Sequence, residues 1–569
     1  MKKKTFLLAL AFAFGLLSGC GGSEAEEETQ VPTEDDLPYH FAPGDYEVNE
    51  EGFPFKPYEY RLPICNTGEV LTYMCYMPYL AINENAIEQP QVMQLRDMTG
   101  ITVEYVTLKR SGDTIYEAVM AADDLCDIVA GAKSFVEGAY EASKANWCNL
   151  RDYLMYCPNY LYQVTCQPEE GLMFDALYSD ENTVPFFYAL QDKAVIQTNF
   201  MARGDWLDEA YLSNDDIVTW DDLHEMLTLF QVSQDTCEQP MSMPVTIEYP
   251  GDFTFTSFDT YPFINYNRLG AAYVVDGKVR FSCMNENDRA FVTMLHQWYE
   301  EDLLSQEIID KTMMVKNYDF YTINEYTDYM LESGRIGYAS MTPYEALIHE
   351  QETENDPDCR WVPIRKPLRT ANQTLHLGGR KNRVLHAAAA VSIRCENIPL
   401  AVSWLDFRYS PSGSYALSYG PEGHLWERDE NNNLLATAEA MNAGYAGFEN
   451  QRRYYGLNTF EEVGLLLLSS QFIVPGGDRQ FASFTYWDSC SYDGAYEWPK
   501  GIELTLEQKA EVEKLSPFVV NYIGSHYFGF IEGSRLLSGW DEYVERLYEL
   551  GMVRVIEIYQ EAYDKYMEQ

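Results

Sequence analysis

Three short runs indicate the fold class: VLTYMCYM at residues 70–77, ITVEYVTL at 101–108 and CDIVAGA at 126–132. Each run is apolar or β-branched over a length typical of a strand. A helical pattern that ends at Gly100 separates the first two runs, since glycine is a common helix stop. Residues 113–122 carry one apolar helical face and separate the second run from the third. This alternation predicts parallel strands covered by helices, so the expected fold class is α/β.

Further helices are predicted from their end signals. Thr219 and Asp222 have the spacing of a capping box, in which each side chain accepts a hydrogen bond from the backbone N–H of the other residue. A second helix start lies at 538–541, and Gly551 stops that helix. An amphipathic pattern then continues to the C-terminus, so we expect the chain to end in helices.

The N-terminus has the pattern of a lipoprotein signal. Three lysines at positions 2–4 precede an apolar run at 6–17, and Leu17-Ser18-Gly19 leads into Cys20. The run is shorter than the ~20 residues that an apolar helix needs to cross a bilayer. We therefore predict that residues 1–19 are a signal peptide and that Cys20 becomes the lipidated first residue. Two or three acyl chains on that residue would hold the protein firmly at a membrane.

Residues 20–65 are expected to form a flexible tether between the lipid and the body. The segment from Gly21 to Pro57 is rich in Glu, Asp, Pro, Gly and Thr, and it shows no hydrophobic periodicity. Such a composition buries too little apolar surface to fold. A flexible chain of this length spans roughly 30 Å, which would let the body pivot above the membrane.

Length and charge limit the function classes. The chain has 569 residues, more than the roughly 250–300 residues that one core supports, so at least two lobes are expected. Acidic residues outnumber basic ones by 89 to 40, for a formal charge of −49. A nucleic-acid partner would require a basic surface, and this class is therefore excluded. The acidic excess is interpreted as the solvated surface of a globular body.

No cofactor and no metal are expected. The twelve cysteines form no CxxC pair, and His349-Glu350 is followed by Thr353 where a zinc-protease motif has its second histidine. We interpret the scattered cysteines as small buried hydrophobes, although disulfides stay open in an extracytoplasmic setting. The turn at 429–433 offers oxygen ligands for Ca²⁺ but lacks the glycine and distal glutamate of an EF-hand loop, so a solvated turn is favoured.

Several segments resemble, in order, the extracellular solute-binding proteins of family 1, maltose-binding-like substrate-binding lipoproteins of ABC transporters. Met98-Thr99-Gly100-Ile101-Thr102-Val103 resembles the family's TGI-V segment, and Arg203-Gly204-Asp205-Trp206-Leu207-Asp208 resembles its RKDWLDKLG signature. The other similar segments are 71–79, 121–129, 149–153, 157–159, 219–222, 298–303, 419–427, 540–543 and 559–564. The chain departs from the family pattern at Asp123, Cys126 and Asp302. The resemblance extends from about residue 68 to the C-terminus and includes a turn of the large carbohydrate-type subgroup.

This resemblance implies a two-lobe, periplasmic-binding-protein-like clamp of type II, with discontinuous lobes joined by hinge strands. The implied first lobe is 66–187 with 335–410, and the implied second lobe is 188–334 with 411–569. A hinge at 183–188 would lead to the second lobe's strand at 195–201. The strand at 335–341 would return the chain to the first lobe, and the helix at 400–409 would end that return. Within the RGDWLD segment, the arginine and first aspartate are expected to form an ion-paired turn beside a buried tryptophan.

A neutral sugar presents hydroxyls and apolar C–H faces, so its receptor needs aromatic rings beside carboxylate, amide or guanidinium groups. The chain is 14% aromatic, with 44 Tyr and 10 Trp, although most of these rings must fill the cores. Ligands of open α/β sheets lie beyond the carboxyl ends of the strands. By that rule Tyr76 and Tyr79, after the first strand, and Phe135, after the third, are candidate ligand-binding residues. Tyr188 at the implied hinge is another.

Four more candidates come from the later part of the chain. Tyr344 and Tyr261 match places where, by the resemblance, maltose-binding-type relatives carry stacking aromatics. The loop at 484–488 would present the Trp487 ring and the Asp488 carboxylate side by side in a cleft wall.

We therefore expect a non-enzymatic binding protein that captures a solute, above all an oligosaccharide, and delivers it to an ABC importer. Its partners would be the carbohydrate ligand, the permease subunits and, through the lipid on Cys20, a membrane. It would act as a monomer. It would be lipid-anchored on the extracellular face of the cell membrane, and the resemblance to long Gram-positive lipoproteins favours this location over a periplasm.

Two alternatives stay open. The same fold would also suit a ligand sensor, or a receptor for peptides or acidic sugars. The negative charge disfavours anionic ligands, but one basic cluster would offset it locally: Arg365, Lys366, Arg369, Arg380, Lys381 and Arg383. The other alternative is a surface glycan-cleaving enzyme with two carboxylates about 5–10 Å apart. The chain has no nucleophile elbow, metal motif or phosphate loop, which favours binding over catalysis.

Overall fold

Strands and helices alternate along the chain in the computed structural model. It describes residues 37–43, 46–50, 52–76, 88–108, 125–131, 146–165, 183–184, 186–196, 198–237, 239–242, 255–262, 269, 272–306, 328–353, 356–378, 383–430, 434–442, 455, 463–467, 477–499, 502 and 504–568. The strands are β1 (Val70–Tyr76), β2 (Thr102–Leu108), β3 (Ile128–Gly131), β4 (Phe187–Gln191), β5 (Asn199–Arg203), β6 (Tyr273–Val275), β7 (Lys278–Arg280), β8 (Tyr338–Met341), β9 (Trp361–Pro363), β10 (Val384–Val391), β11 (Trp426–Arg428), β12 (Leu434–Ala436) and β13 (Leu465–Leu466). The helices are α1 (Pro90–Thr99), α2 (Pro158–Thr165), α3 (Gly204–Glu209), α4 (Trp220–Ser233), α5 (Glu286–Glu300), α6 (Pro343–Glu352), α7 (Ile398–Phe407), α8 (Pro411–Tyr419), α9 (Ala438–Asn442), α10 (Gly477–Trp487), α11 (Leu506–Ile531), α12 (Trp540–Leu547) and α13 (Val553–Met567).

Six strands form the first sheet, in the order β13-β4-β10-β3-β1-β2. β1 is parallel to both β2 and β3, with Val70 opposite Thr102 and Tyr73 opposite Ile128. β13 is parallel to β4, whereas β10 is antiparallel to both of its neighbours, β3 and β4. The parallel arrangement that the sequence predicts for the first three strands is therefore confirmed, with slightly shorter strands than expected.

A second, three-stranded sheet has the order β8-β5-β9 and is antiparallel. Its central strand β5 is buried along its whole length. An aromatic-rich core that includes Trp220, Phe291 and Trp298 packs on this side. A separate core beside the first sheet includes Tyr73 and Trp404. The two largest sheets and the separate cores beside them agree with the expectation of more than one core from chain length.

Among the residues that the structure describes, the chain changes three times from the side of one sheet to the side of the other. The first passage runs from the end of β4 at Gln191 to the start of β5 at Asn199. The second leads from the loops after β9 into β10 at Val384, and the third leads from β13 to α10, which packs against β9. β4, β10 and β13 are neighbours, and β10 opposes the other two in direction. All three passages therefore leave from the same edge of the first sheet.

These pairings differ from the predicted lobe boundaries. The strand within 335–341 does not return the chain to the first sheet, because β8 pairs with β5, with Ala339 opposite Met201. The returning strand is β10, with Ala388 opposite Gly131. α8 and β13 belong to the first sheet's side, although 411–569 was assigned to the second lobe. The sequence could not show these boundaries, because the strand pairings that define them join residues far apart in sequence.

The predicted tether is too long. From Tyr39 onward the chain packs with the first sheet's core, where Ala42, Tyr60 and Ile64 are buried. Tyr39 forms an isolated bridge with Cys65. Aromatic residues that are dispersed among Glu and Pro supply the buried surface, and the overall polar composition conceals them. The segment 39–65 is thus part of the folded body.

The predicted helix stop at Gly100, the capping box at Thr219 and the ion-paired turn are confirmed. Gly100 follows α1 with φ of 70°, and a Cβ there would lie 2.0 Å from a backbone carbonyl oxygen, so glycine is required. The N–H of Thr219 donates to the Asp222 carboxylate at 2.8 Å, and the Thr219 hydroxyl accepts from the N–H of Asp222 at 3.2 Å. Arg203 Nε donates to Asp205 at 2.9 Å beside the buried Trp206.

Within the described residues no helix is long and apolar enough to cross a membrane. The nine cysteines whose side chains are described are free thiols, and seven of them are buried. This agrees with their interpretation as small buried hydrophobes.

Candidate functional site

The three passages leave the first sheet at its carboxyl edge. β1, β2, β3, β4 and β13 run in one direction, because β10 is antiparallel to both β3 and β4. Tyr76, Gly131 and Gln191 therefore end their strands at the edge from which the chain continues to the second sheet. Open α/β sheets bind ligands beyond this edge, so it is the candidate binding region.

Three of the predicted site residues lie in a strand or just after one, and two others fall outside the described part of the chain. Tyr76 is the last residue of β1. Tyr188 lies in β4, half-buried, with its ring 6.1 Å from that of Phe186. Tyr344 is the second residue of α6, directly after β8, and is also half-buried. Tyr79 and Phe135 lie outside the described residues, as do Cys20, Arg380, Lys381 and residues 431–433.

Trp487 does not lie in a loop at a cleft wall. It ends helix α10, and its side chain is 0% exposed. Its indole N–H donates to the carbonyl of Phe200 in β5 at 3.2 Å, so the ring packs in the core beside the second sheet. Phe484 and Trp487 are spaced as on one face of a helix, a signal for burial that the loop interpretation missed. Asp488 follows the helix and is half-buried.

Tyr261 belongs to a small aromatic core on the second sheet's side. Its ring packs edge-on against Tyr273 at 5.7 Å, and both rings contact Leu377. The backbone of Gly378 hydrogen-bonds the Tyr261 hydroxyl, and burial raises the pKa of that hydroxyl. The side chain is 7% exposed, so little of its ring face is available to a ligand. The ring instead supports its polar neighbours.

Partly exposed polar groups lie beside this aromatic core. His376 Nδ1 is 2.8 Å from Asp493 Oδ1, and the His376 ring is 4.6 Å from the Tyr496 ring. The hydrogen bonds from His376 and from the N–H of Ala495 hold the pKa of Asp493 below its ordinary value. An ionised carboxylate therefore stands next to an imidazole and a phenol ring.

Asp259 adds a second carboxylate to this group. Its φ of 54° lies in the left-handed region, which aspartate tolerates better than most residues. Its Oδ1 is buried and accepts no hydrogen bond from the residues that the structure describes. Burial raises the pKa of Asp259, and the charges of His376 and Arg369 oppose this shift. We call Asp259, His376, Asp493 and Tyr496 the His376 cluster.

Backbone pairing holds the cluster on three segments. The N–H of Asp493 donates to the carbonyl of Leu375 at 3.1 Å, and the N–H of Tyr496 donates to that of His376 at 3.1 Å. The N–H of Val274 in β6 in turn donates to the carbonyl of Tyr496 at 2.9 Å. His376 comes eight residues before β10 begins at Val384, so its segment precedes the second passage in the chain.

The sequence interpretation missed most of this cluster. The segment SYDGAYEW at 491–498 alternates rings with carboxylates, which is the composition expected of a sugar site. It was a usable signal. His376 and Asp259 have no such signal, because their relation to the segment depends on strand-like pairing between distant parts of the chain.

The predicted basic cluster does not form one pocket among the described residues. Lys366 is buried, and its ammonium group donates to a backbone carbonyl. Arg383 is buried and donates to the carbonyl of Gln191 at 2.8 Å. Arg365 pairs with Asp215 at 3.0 Å. These cations are engaged in holding the structure together.

The comparisons with known proteins give different results for the sequence and for the fold. No protein-family model matches the chain, and no curated protein matches it in sequence. Solved structures do match. The chain is similar to an extracellular solute-binding protein from Bifidobacterium longum subsp. infantis, with a TM-score of 0.65 and 13% identity over 91% of this chain and 100% of that one.

Two other similar structures are of proteins that bind a sugar or a polysaccharide. One is the ABC-transporter substrate-binding protein FusA of S. pneumoniae in complex with kestose, with a TM-score of 0.61 and 17% identity over 88% of this chain and 99% of that one. The other is an alginate-binding protein without calcium ion, with a TM-score of 0.60 and 17% identity over 88% of this chain and 98% of that one. The chain thus has the type II periplasmic-binding-protein-like fold that the sequence predicts.

Proposed function

We propose that this protein is an extracytoplasmic solute-binding lipoprotein that captures an oligosaccharide and delivers it to an ABC importer. The observation that carries the proposal is the His376 cluster, whose His376 segment precedes the second passage in the chain. It combines an imidazole and a phenol ring with two carboxylates. The fold supports the proposal, since the similar structures include substrate-binding proteins of ABC transporters.

The cluster has the chemistry to hold a sugar without reacting with it. The apolar C–H faces of a pyranose or furanose ring pack on an aromatic ring such as Tyr496. Its hydroxyls donate to the ionised Asp493 and to the buried Oδ1 of Asp259, which has spare acceptor capacity. Tyr261 and Tyr273 form the apolar floor beneath these groups.

A neutral sugar is favoured over an acidic one. Three described basic side chains of the predicted cluster, Lys366, Arg383 and Arg365, already bind carbonyls or carboxylates. Arg369 lies over the Phe258 ring. The formal charge of −49 adds long-range repulsion of anions. An alginate-like polymer is the second candidate ligand, because one similar structure is an alginate-binding protein.

Closure of two lobes about the passages would trap the ligand. We assign one lobe to the first sheet and the other to the second, with the hinges between β4 and β5, before β10 and after β13. Three adjacent passages at one sheet edge act as a hinge because they restrict relative motion to rotation about that edge. Tyr188 and Tyr344, near the first passage and at the end of β8, are retained as proposed ligand contacts.

Anchoring follows from the N-terminal sequence. Residues 1–19 would direct export, lipid on Cys20 would hold the protein at the extracellular face of the cell membrane, and residues up to about 38 would serve as the spacer. A tether raises the concentration of the receptor near its permease without any direct contact. The working unit would be a monomer.

Calorimetry with a panel of neutral oligosaccharides, alginate oligomers and peptides tests the proposed ligand. A neutral oligosaccharide should bind saturably, and no cleavage product should appear on prolonged incubation. Tyr496→Ala should weaken binding at least about tenfold, the equivalent of about 1.4 kcal/mol. Tyr211→Ala is the matched control, since that ring is 95% exposed and remote from the cluster, and it should bind as the wild type does.

Three results would contradict the proposal. Preferential binding of alginate or peptide would replace the ligand class. Release of shortened sugars would indicate a glycan-cleaving enzyme. Equal affinity of Tyr496→Ala and Tyr211→Ala would move the site away from the His376 cluster.

A separate experiment tests the anchor. Cells that express the full chain are labelled with a clickable palmitate analogue, and the membrane and medium fractions are compared. Wild type should be labelled and remain with the membrane, whereas Cys20→Ala should be unlabelled. Labelling that persists in Cys20→Ala would contradict lipidation at this residue.

A further inference from the structure

A second group of side chains lies away from the His376 cluster, on the two segments that flank β8. His349 and Glu352 lie on α6, three residues apart and therefore on one face of that helix. Glu332 comes from the helical turn at 328–332 that precedes β8. One potential ligand atom from each residue lies within 4.8 Å of the other two.

His349 points its unused nitrogen into this group. The residue is 6% exposed, and its Nδ1 has no hydrogen-bond partner among the residues that the structure describes. That atom lies 3.6 Å from Oε1 of Glu332, while Nε2 on the other side of the ring lies 3.7 Å from Oδ1 of Asp328. A buried polar atom without a partner is uncommon in native proteins and calls for a ligand.

The electrostatics of the group also lack a positive charge. Burial, a hydrogen bond with Glu352 and the charges of Glu352 and Asp328 together raise the pKa of Glu332 to about 7. Burial lowers the pKa of His349, against the carboxylates of Asp328, Glu345 and Glu352. Neither Glu332 nor Glu352 forms a salt bridge with Lys or Arg within the described part of the chain.

We propose that Glu332, His349 and Glu352 form a binding site for a divalent transition-metal ion of the Zn²⁺ type. An imidazole nitrogen with two carboxylates is a ligand set that zinc accepts, and water would complete the tetrahedron. Ligand atoms around tetrahedral zinc are about 3.3–3.6 Å apart, as Nδ1 and the Glu332 oxygen already are. The imidazole nitrogen selects against Ca²⁺ and Mg²⁺, which prefer oxygen ligands.

Asp328 would complete the arrangement as a positioning residue. A histidine that binds a metal through one nitrogen usually directs its other N–H toward a carboxylate, which fixes the orientation of the ring. Asp328 stands on that side of His349. The bound ion would tie α6 to the turn before β8, and thus join the two segments on either side of that strand. This proposal does not depend on the identity of the transported ligand.

Titration of the metal-stripped full-length protein with ZnCl₂ tests the site. Calorimetry should give one zinc per chain, and the melting temperature should rise until that stoichiometry is reached. CaCl₂ at the same concentrations should give neither effect. Glu352 is exposed, so Glu352→Gln should fold normally, and it should weaken zinc binding by about tenfold or more.

Two further variants sharpen the result. His349→Gln should abolish the binding that Glu352→Gln weakens. Glu286→Gln, at a 79% exposed side chain in another part of the chain, is the matched control and should bind zinc as the wild type does. Absence of saturable zinc binding, equal affinities of Glu352→Gln and Glu286→Gln, or tighter binding of Ca²⁺ than of Zn²⁺ would each overturn the proposal.

Discussion

The two sides of the molecule each bury one aspartate completely, but they use it differently. Asp406, in α7 beside the first sheet, and Asp288, in α5 beside the second, are both 0% exposed. Each accepts hydrogen bonds from backbone and side-chain donors. Most donors to Asp288 are backbone N–H groups at the start of its own helix, whereas the donors to Asp406 come from segments far away in sequence.

Asp406 joins three segments of the first side. Its carboxylate accepts from the N–H of Tyr160 at 2.7 Å, from the side-chain amide of Asn159 at 2.9 Å and from the hydroxyl of Tyr60 at 2.8 Å. Tyr60 lies 346 residues before it. The aspartate therefore attaches both α2 and the segment 39–65 to α7.

Asp288 is mainly a helix cap. It accepts from the N–H groups of Asn285 at 2.8 Å and Met284 at 2.9 Å, three and four residues away. Thr260 adds a hydroxyl donor at 2.7 Å. The comparison shows that equal burial of the same residue type serves local order on one side and long-range assembly on the other.

Replacement of Asp406 should have the largest effect on stability. Asp406→Ala leaves buried donors from Tyr60, Asn159 and Tyr160 without an acceptor, and the expected loss is about 3–5 kcal/mol in the free energy of unfolding. Chemical denaturation measures the loss, and hydrogen exchange by mass spectrometry should show faster exchange in 39–65 and in α2. A loss below about 1 kcal/mol would refute the role of Asp406 as the link between these segments.

Asp288→Ala should cost less, about 2 kcal/mol, because it removes a buried cap and the acceptor of one hydroxyl. Its hydrogen-exchange changes should be confined to the start of α5 and the neighbourhood of Thr260. Faster exchange that spreads to distant segments of the second side would remove the distinction between the two aspartates.

The pH dependence of the Asp406→Ala effect is a smaller test. Burial raises the pKa of Asp406 to about 7, against four hydrogen bonds that favour its ionised form. The folded state thus holds its proton to higher pH than the unfolded state, so its stability falls as pH rises from about 4 to 7, by at most about 1.4 kcal/mol per unit. Wild type and Asp406→Ala should therefore differ more at pH 5 than at pH 7 in denaturation experiments. A difference that grows with pH would show that ionisation of Asp406 is favoured in the fold.

Removal of a single donor should have the smallest effect. Tyr60→Phe deletes one hydrogen bond to Asp406 and leaves three others, for an expected loss of about 1.5 kcal/mol. Thr260→Val, which removes one donor from Asp288, is the matched variant, and denaturation should give similar losses for the two. Only Tyr60→Phe should accelerate exchange in 39–65. Unchanged exchange in 39–65 in the Tyr60→Phe variant would mean that other contacts hold this segment.

Features with a local cause could be predicted from the sequence. The parallel strands β1, β2 and β3, the stop at Gly100 and the capping box at Thr219 each depend on residues within one short window. The position of the return strand could not be predicted, because β8 and β10 are both largely apolar and the local sequence of each does not specify its partner strand. Only their pairing with β5 or with β3 decides which sheet each joins.

The candidate site shows the same limit. The resemblance indicates Tyr261, but Leu377 and Tyr496, which pack in the same small core, are more than a hundred residues away in sequence. Trp487 was misassigned because an exposed ring in a loop and a buried ring in a helix have the same local composition. Its fully buried position follows from the contact with Phe200.

By itself, the sequence determined the α/β class, the need for more than one core, the helix caps and the role of the cysteines as small buried hydrophobes. Each of these depends on composition, periodicity or near neighbours. The tertiary structure alone decided where the chain passes between the sheets, that 39–65 belongs to the body, and which polar groups form the His376 cluster and the proposed metal site. Those features depend on contacts between residues that are hundreds of positions apart in the sequence. Such contacts stabilise the protein only once the chain has folded.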